Sequence, residues 1–130
     1  MYIEADMLYA YLKTSDWLKK HAETILKKFK VVTSIITIIE IEFVAKRDFG
    51  NEFANSILEK PEKIENLEFT NLQAEILKNA VEFRKKFNLN IFDAIHAATA
   101  NYLKKDIIST DRIFDIIPEI KRIDPREIKL

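Results

Sequence analysis

Short apolar runs alternate with longer amphipathic stretches along this chain, the pattern of an α/β domain built on a buried parallel sheet. It predicts strands at Tyr2–Glu4, Val31–Ser34, roughly Ile64–Phe69, Ile107–Ser109 and, less apolar, Arg122–Asp124. Helices are predicted near 7–13, 15–29, 35–48, 50–59, 71–87 and 91–104. Over 71–87, Leu72, Ile76, Ala80, Phe83 and Phe87 recur at helical spacing, and Thr70-Asn-Leu-Gln73 has the form of a capping box. The 15–29 segment sets Trp17, Leu18, Ala22, Ile25, Leu26 and Phe29 against a lysine-rich face, as in a surface helix packed on a sheet. Val31–Val44 is apolar enough for a strand to run straight into a buried helix. Turn chemistry is confined to Phe49-Gly50-Asn51, Lys60-Pro61 and the surroundings of Pro118 and Pro125, and no repeat or linker divides the chain. The expected architecture is one α/β domain over 1–130, with a parallel sheet of about five strands flanked by helices.

Composition narrows the chemistry. With 130 residues, 48% of them hydrophobic, the chain can bury one sizeable core. Its 21 basic and 21 acidic residues cancel, which excludes a polybasic coat protein for nucleic acid but not an enzyme with a local basic rim. The absence of cysteine removes disulfides, thiolate metal sites and thiol nucleophiles, and two histidines, His21 and His96, exclude a histidine-rich metal centre. Acids stand among the first residues where a signal segment carries bases, and no apolar run reaches the roughly 18 residues of a membrane span, so a cytoplasmic protein is expected. Twenty isoleucines and 16 lysines against five arginines fit a hot-living source, as they equally fit an AT-rich genome.

In open α/β sheets, ligand sites gather outside the carboxyl ends of the strands. Here Glu4 and Asp6 come directly after the first strand, and the second feeds a helix carrying Glu40. Asp93 opens the helix before the fourth strand, whose end runs into Ser109-Thr110-Asp111, with Asp115 four residues on. On a helical wheel Glu40 falls among Ile36, Phe43 and Val44, where a carboxylate is costly unless paired. Glu42 has an ordinary surface partner one turn on in Lys46. Each acid has a local alternative: Asp93 in Asn90-Ile-Phe-Asp93 suits a helix N-terminus, and Asp6 and Asp111 suit caps or turns. Those alternatives do not account for the shared placement at strand ends. Carboxylates converging on one point raise each other's pKa, and a divalent cation removes that penalty. Hard oxygen donors without His or Cys select Mg²⁺ or Mn²⁺, an apparatus suited to phosphodiester hydrolysis.

Four stretches in order carry a resemblance: Tyr2-Ile-Glu-Ala-Asp6-Met-Leu, Thr33-Ser34-Ile-Ile-Thr37-Ile-Ile-Glu40, Phe92-Asp93-Ala-Ile-His96-Ala-Ala-Thr-Ala100 and Ile107-Ile-Ser-Thr-Asp111-Arg-Ile-Phe114-Asp115. Over about residues 1–117 the chain resembles the PIN-domain nucleases, particularly VapC-like toxins of prokaryotic toxin–antitoxin pairs. The resemblance implies a PIN fold and Mg²⁺- or Mn²⁺-dependent cleavage of RNA, with one or two ions. It implies that Glu40, Asp93 and Asp111 are acidic ligands, Asp115 an auxiliary, and Ser109 or Thr110 the hydroxyl before the last acid. It also implies a cognate antitoxin and a homodimer. The departure is at the first acid, where the family's usual Asp aligns with Glu4 and Asp6 takes the third place of that motif. Three outcomes stay open: Glu4 ligates despite its extra methylene, Asp6 takes over, or the site is weakened to a binding module.

The candidate catalytic and metal-holding acids are thus Glu4, Asp6, Glu40, Asp93 and Asp111, with Asp115 as a further metal ligand. His96 is expected to pack or to make a hydrogen bond rather than to touch substrate. Lys13, Lys46, Arg47 and Arg112 are the bases nearest the site in sequence, each more simply read as solvated charge. A receiver-like signalling domain also gathers acids at strand ends, but Val31–Ser34 and the 64–69 segment end without a phosphoacceptor Asp. If five of the 21 acids share one pocket, 16 remain against 21 bases, and neutrality conceals a mildly basic surface around an acidic hole.

Overall fold

The computed structural model describes residues 1–129. The chain runs β1 (Tyr2–Ile3), α1 (Ala5–Leu12), α2 (Lys19–Lys28), β2 (Val31–Ser34), α3 (Ile35–Phe49), α4 (Asn51–Leu58), β3 (Leu67–Thr70), α5 (Ala74–Phe87), α6 (Ile91–Leu103), β4 (Ile107–Ile108) and β5 (Arg122–Ile123). Short 3-10 turns lie at Pro61–Lys63, Arg112–Ile116 and Pro125–Glu127. The sheet order is β3-β2-β1-β4-β5, and every pair is parallel. No helix of the described residues is long and apolar enough to cross a membrane.

β1 and β4 are two residues long, and their alternation divides the interior. Successive side chains of a strand leave on opposite faces. Ile3 and Ile108 enter a core with Met7, Leu8, Ile25, Ile41 and Ile57, while Tyr2 and Ile107 enter another with Ile76, Ala80, Phe83 and Phe114. The sheet is therefore covered on both sides, which suits apolar parallel strands. On α6, Ala94, Ala97, Ala98 and Ala100 are fully buried, so this helix packs closely through small side chains.

The predicted elements are all present, with boundaries moved by specific contacts. Thr70 is paired in the sheet opposite Ser34, so its backbone continues β3 and cannot cap α5. That helix starts at Ala74 behind Gln73, which makes no side-chain cap bond, and the predicted capping box does not form. The helix expected from residue 15 begins at Lys19. Asp16 accepts the Leu18 N–H at 2.8 Å, and Lys19 Nζ donates to the carbonyls of Tyr11 and Lys13, which holds 13–18 as a turn. Leu18, Ala22, Ile25 and Leu26 are buried as expected, but Trp17 is 64% exposed, with Arg126 over its ring at 5.8 Å. No ion pair joins Glu42 to Lys46 among the described residues. A receiver-like arrangement is also ruled out, because that fold orders its strands 2-1-3-4-5.

Gly50, the only glycine, joins α3 to α4 at φ 88°, ψ 176°, a conformation nearly restricted to glycine. A Cβ there meets no atom within 4 Å, so an added methyl would strain the backbone without a clash. Gly50→Ala is expected to lower stability by about 1–3 kcal/mol, measured as a shift in urea midpoint at unchanged slope.

Candidate active site

The order β3-β2-β1-β4-β5 reverses direction at β1, since the chain moves from β1 outward to β3 and returns to β4 on the other side. The crevice at such a reversal lies beyond the carboxyl ends of the strands flanking it. Both strands end early there. After Ile3 and Ile108 the backbone leaves the ladder, so Glu4 and Ser109 become the first residues of loops that turn into helical structure. A cleft of about 430 Å³ lies at this point, lined by Glu4, Asp6, Glu40, Asp93, Asp111 and Tyr9 among others. All five carboxylates expected to converge there do line it.

Each is held by its own local device. Glu4, not Asp6, is the N-cap of α1, its Oε1 accepting the Asp6 N–H at 3.0 Å and the Ser109 hydroxyl at 3.3 Å. Asp6, two residues later, accepts both the N–H and the hydroxyl of Thr110 on Oδ2, at 2.9 and 2.8 Å. These bonds stitch the β1 end to the β4 end. Glu40 on α3 receives His96 Nε2 of α6 on Oε1 at 2.7 Å. Asp93 sits at the third position of α6: Asn90 accepts its N–H at 2.9 Å and returns an amide N–H to Asp93 Oδ2 at 2.8 Å. Asp111 caps the turn at Arg112–Ile116 through Oδ1, and its own N–H donates to Ser109 Oγ. For Asp93 and Asp111 the capping role and a place in the cleft coincide.

One regularity runs through the set. In all five carboxylates a single oxygen takes every protein hydrogen bond, and the other takes none among the described residues. For Asp6 the unpartnered oxygen, Oδ1, is also fully buried. A buried acceptor without a partner is expensive and calls for an explanation in the site's chemistry. Burial, with the neighbouring Asp6 carboxylate second, pushes Glu4 well above the usual carboxylate range. Desolvation and then the Asp111 charge raise Asp93 as well.

Tests of a divalent ion against this set divide. The donors are hard oxygens, free and anchored from behind, which suits Mg²⁺ or Mn²⁺ in kind. No three of the described acidic or histidine side chains are drawn together tightly enough to enclose an ion as they stand. The cleft therefore presents ligands around a space rather than a closed cage.

Asp115 does not belong to the cleft. Arg122 takes both its oxygens, at 2.8 and 3.1 Å, and holds its pKa below the usual range. The Asp115 expected as an auxiliary ligand thus stands outside the cleft lining, in an ion pair that joins the Arg112–Ile116 turn to β5. Ser109 and Thr110 orient Glu4 and Asp6 respectively, so both hydroxyls are in use. None of Lys13, Lys46, Arg47 and Arg112 lines the cleft; Lys13 pairs with Asp16 and Arg47 with Asp48. His96 is fully buried and cannot touch substrate. Tyr9 was not anticipated, although it lies three residues after Asp6 on α1 and so shares its face.

A five-stranded parallel sheet with acids at its central reversal point is the arrangement of a PIN domain, and the PIN-domain family matches residues 1–120. The chain belongs to that family, whose nucleases act on nucleic acids and generally use divalent metal ions. It is similar in fold to a chain of a toxin–antitoxin complex from Klebsiella pneumoniae (22% identity, 98% of each chain covered, TM-score 0.72). It is likewise similar in fold to VapC20 of Mycobacterium tuberculosis, described as a sarcin–ricin loop cleaving toxin (15% identity, 92% of this chain and 98% of that one, TM-score 0.76). A third likeness is to DNA-bound VapBC from Salmonella typhimurium (16% identity, 95% and 96% covered, TM-score 0.72). No curated protein sequence matches the chain.

Proposed function

We propose that this protein is a metal-dependent endoribonuclease and the toxin of a toxin–antitoxin pair. The observation that carries the reading is the set of five anchored carboxylates, each with one unpartnered oxygen, around one cleft at the switch point of the sheet. Asp6, Glu40, Asp93 and Asp111 would hold Mg²⁺ or Mn²⁺, which supplies charge neutralisation at the scissile phosphate and an activated water. Asp6 is better suited than Glu4 to be the first ligand. Its buried Oδ1 lacks a partner, whereas Glu4 is 5% exposed and burial favours its neutral form. Glu4 would then act by capping α1 and fixing Ser109. The hydroxyl and amide of Thr110 would keep Asp6 oriented while substrate binds above.

An apolar stripe supports a protein partner. Ile35, Ile39 and Phe43, four residues apart on α3, are 47%, 47% and 59% exposed, a row suited to an antitoxin segment or a second copy. The fold neighbour described as a toxin–antitoxin complex favours an antitoxin.

The direct test incubates single-stranded and structured RNA, and matched DNA, with the purified protein in Mn²⁺, Mg²⁺ or EDTA. Cleavage of RNA with either metal, lost in EDTA and in a folded Asp111→Asn protein, is the expected result. Cleavage that persists in EDTA or in Asp111→Asn would overturn the assignment. The buried Glu4 favours a second reading, a weakened module, which would show as RNA binding without cleavage.

A further inference from the structure

Behind the cleft lies a buried polar chain that the sheet and two helices build together. The Ser34 N–H donates to the Tyr2 phenol oxygen at 3.3 Å, the phenol meets His96 Nδ1 at 2.7 Å, and His96 Nε2 meets Glu40 Oε1 at 2.7 Å. A carboxylate can only accept at this contact, so Nε2 carries the hydrogen and donates it to Glu40. Tyr2 and His96 are both fully buried, while the Glu40 side chain is 19% exposed at the cleft.

Packing alone does not require this histidine. Its neighbours on α6 are Ala94, Ile95, Ala97 and Ala98, and a leucine would fill the space without two nitrogens that need partners. Glutamate has three rotatable bonds, and fixing it costs entropy that one flexible contact rarely repays. The imidazole is rigid, and its far nitrogen is held by a tyrosine rooted in the central strand. His96 also lies one turn after Asp93 on α6, so the bond to Glu40 ties the helix of one acid to the helix of the other.

We propose that Tyr2 and His96 form a buried brace that holds the Glu40 carboxylate in one rotamer at the cleft, with His96 a positioning residue. Its effect on metal affinity rests on the nuclease reading above; the rotamer does not.

Variants of His96, Glu40 and Tyr2 and two readouts starting from the metal-free protein test this: Mn²⁺ titration by calorimetry, and three-bond couplings of the Glu40 β-methylene by NMR. His96→Leu is expected to average those couplings and to weaken Mn²⁺ about 10- to 100-fold. His96→Gln, whose amide can still donate, should recover most of the affinity. In a Glu40→Gln background, His96→Leu should have no further effect on Mn²⁺, because the two act through one ligand. Additive losses, or Glu40 couplings that stay fixed in His96→Leu, would overturn the brace. If His96→Leu does not fold, Tyr2→Phe removes only the phenol hydroxyl. Averaged couplings and a several-fold loss of Mn²⁺ affinity then support the brace, and unchanged couplings overturn it. Should wild-type protein bind no Mn²⁺, the metal reading falls by itself, and the couplings still decide the brace.

Discussion

Asp93→Asn is expected to lower RNA cleavage roughly a hundredfold or more while leaving the metal-free fold at least as stable as the parent. Asparagine keeps the size of the side chain and an oxygen to accept the Asn90 amide, so the start of α6 is retained. What it removes is a carboxylate raised by desolvation and by Asp111, together with an oxygen that no protein group satisfies. The same charge that strains the empty cleft is the one a cation would use. Cleavage of a fluorescent RNA in Mn²⁺, paired with urea denaturation in EDTA, separates the two effects. Full activity in a folded Asp93→Asn protein would remove this acid from the site, and unfolding would show that the cap matters more than the crowding.

Saturating Mn²⁺ or Mg²⁺ should raise the melting temperature, and most strongly near neutral pH. At a hundredfold excess over Kd, binding adds about 2.7 kcal/mol, roughly 10 °C for a domain of this size. The pH dependence is set by the direction of the shifts. Glu4 and Asp93 have folded pKa values above their unfolded ones. Their contribution is present below the unfolded values near 4 and is lost as pH rises through the folded values. Asp16, Asp115 and Asp124 are lowered by Lys and Arg partners, so theirs is present above the unfolded value and lost on acidification below it. The metal-free protein should thus be most stable in mildly acidic solution and weaken toward neutrality. Metal should flatten that decline, and Glu4→Gln should raise the metal-free melting temperature at pH 7.5. Calorimetry at two pH values with and without Mn²⁺ checks the whole pattern; a melting temperature indifferent to metal would count against a metal-holding cleft.

Much of this site was legible because a parallel strand announces itself twice, by its apolar run and by the residue that ends it. Glu4 and Asp111 stand just past the ends of strands and Asp93 at the opening of a helix, while Glu40 is marked by its place on an apolar arc. Where the pattern misled, a specific hydrogen bond, ion pair or strand pairing had intervened. Thr70 is committed to the sheet by Ser34, which no capping pattern reveals. Asp115 is taken by Arg122, seven residues on in β5. Trp17 left its apolar face because Asp16 turned the chain. The expected separation of charge is consistent with the lining of the cleft, which holds five acids and no lysine or arginine.

The sequence by itself determined the alternation of elements and the acids at their ends, since periodicity and turn chemistry act over a few residues. Only the tertiary structure decided which oxygen of each acid is spent and which is left. That depends on groups as far apart as Asp6 and Thr110, or Glu40, His96 and Tyr2. Hydrogen bonds have direction and a reach of about 3 Å, so which donor meets which acceptor is settled only when the sheet brings the ends of β1 and β4 side by side.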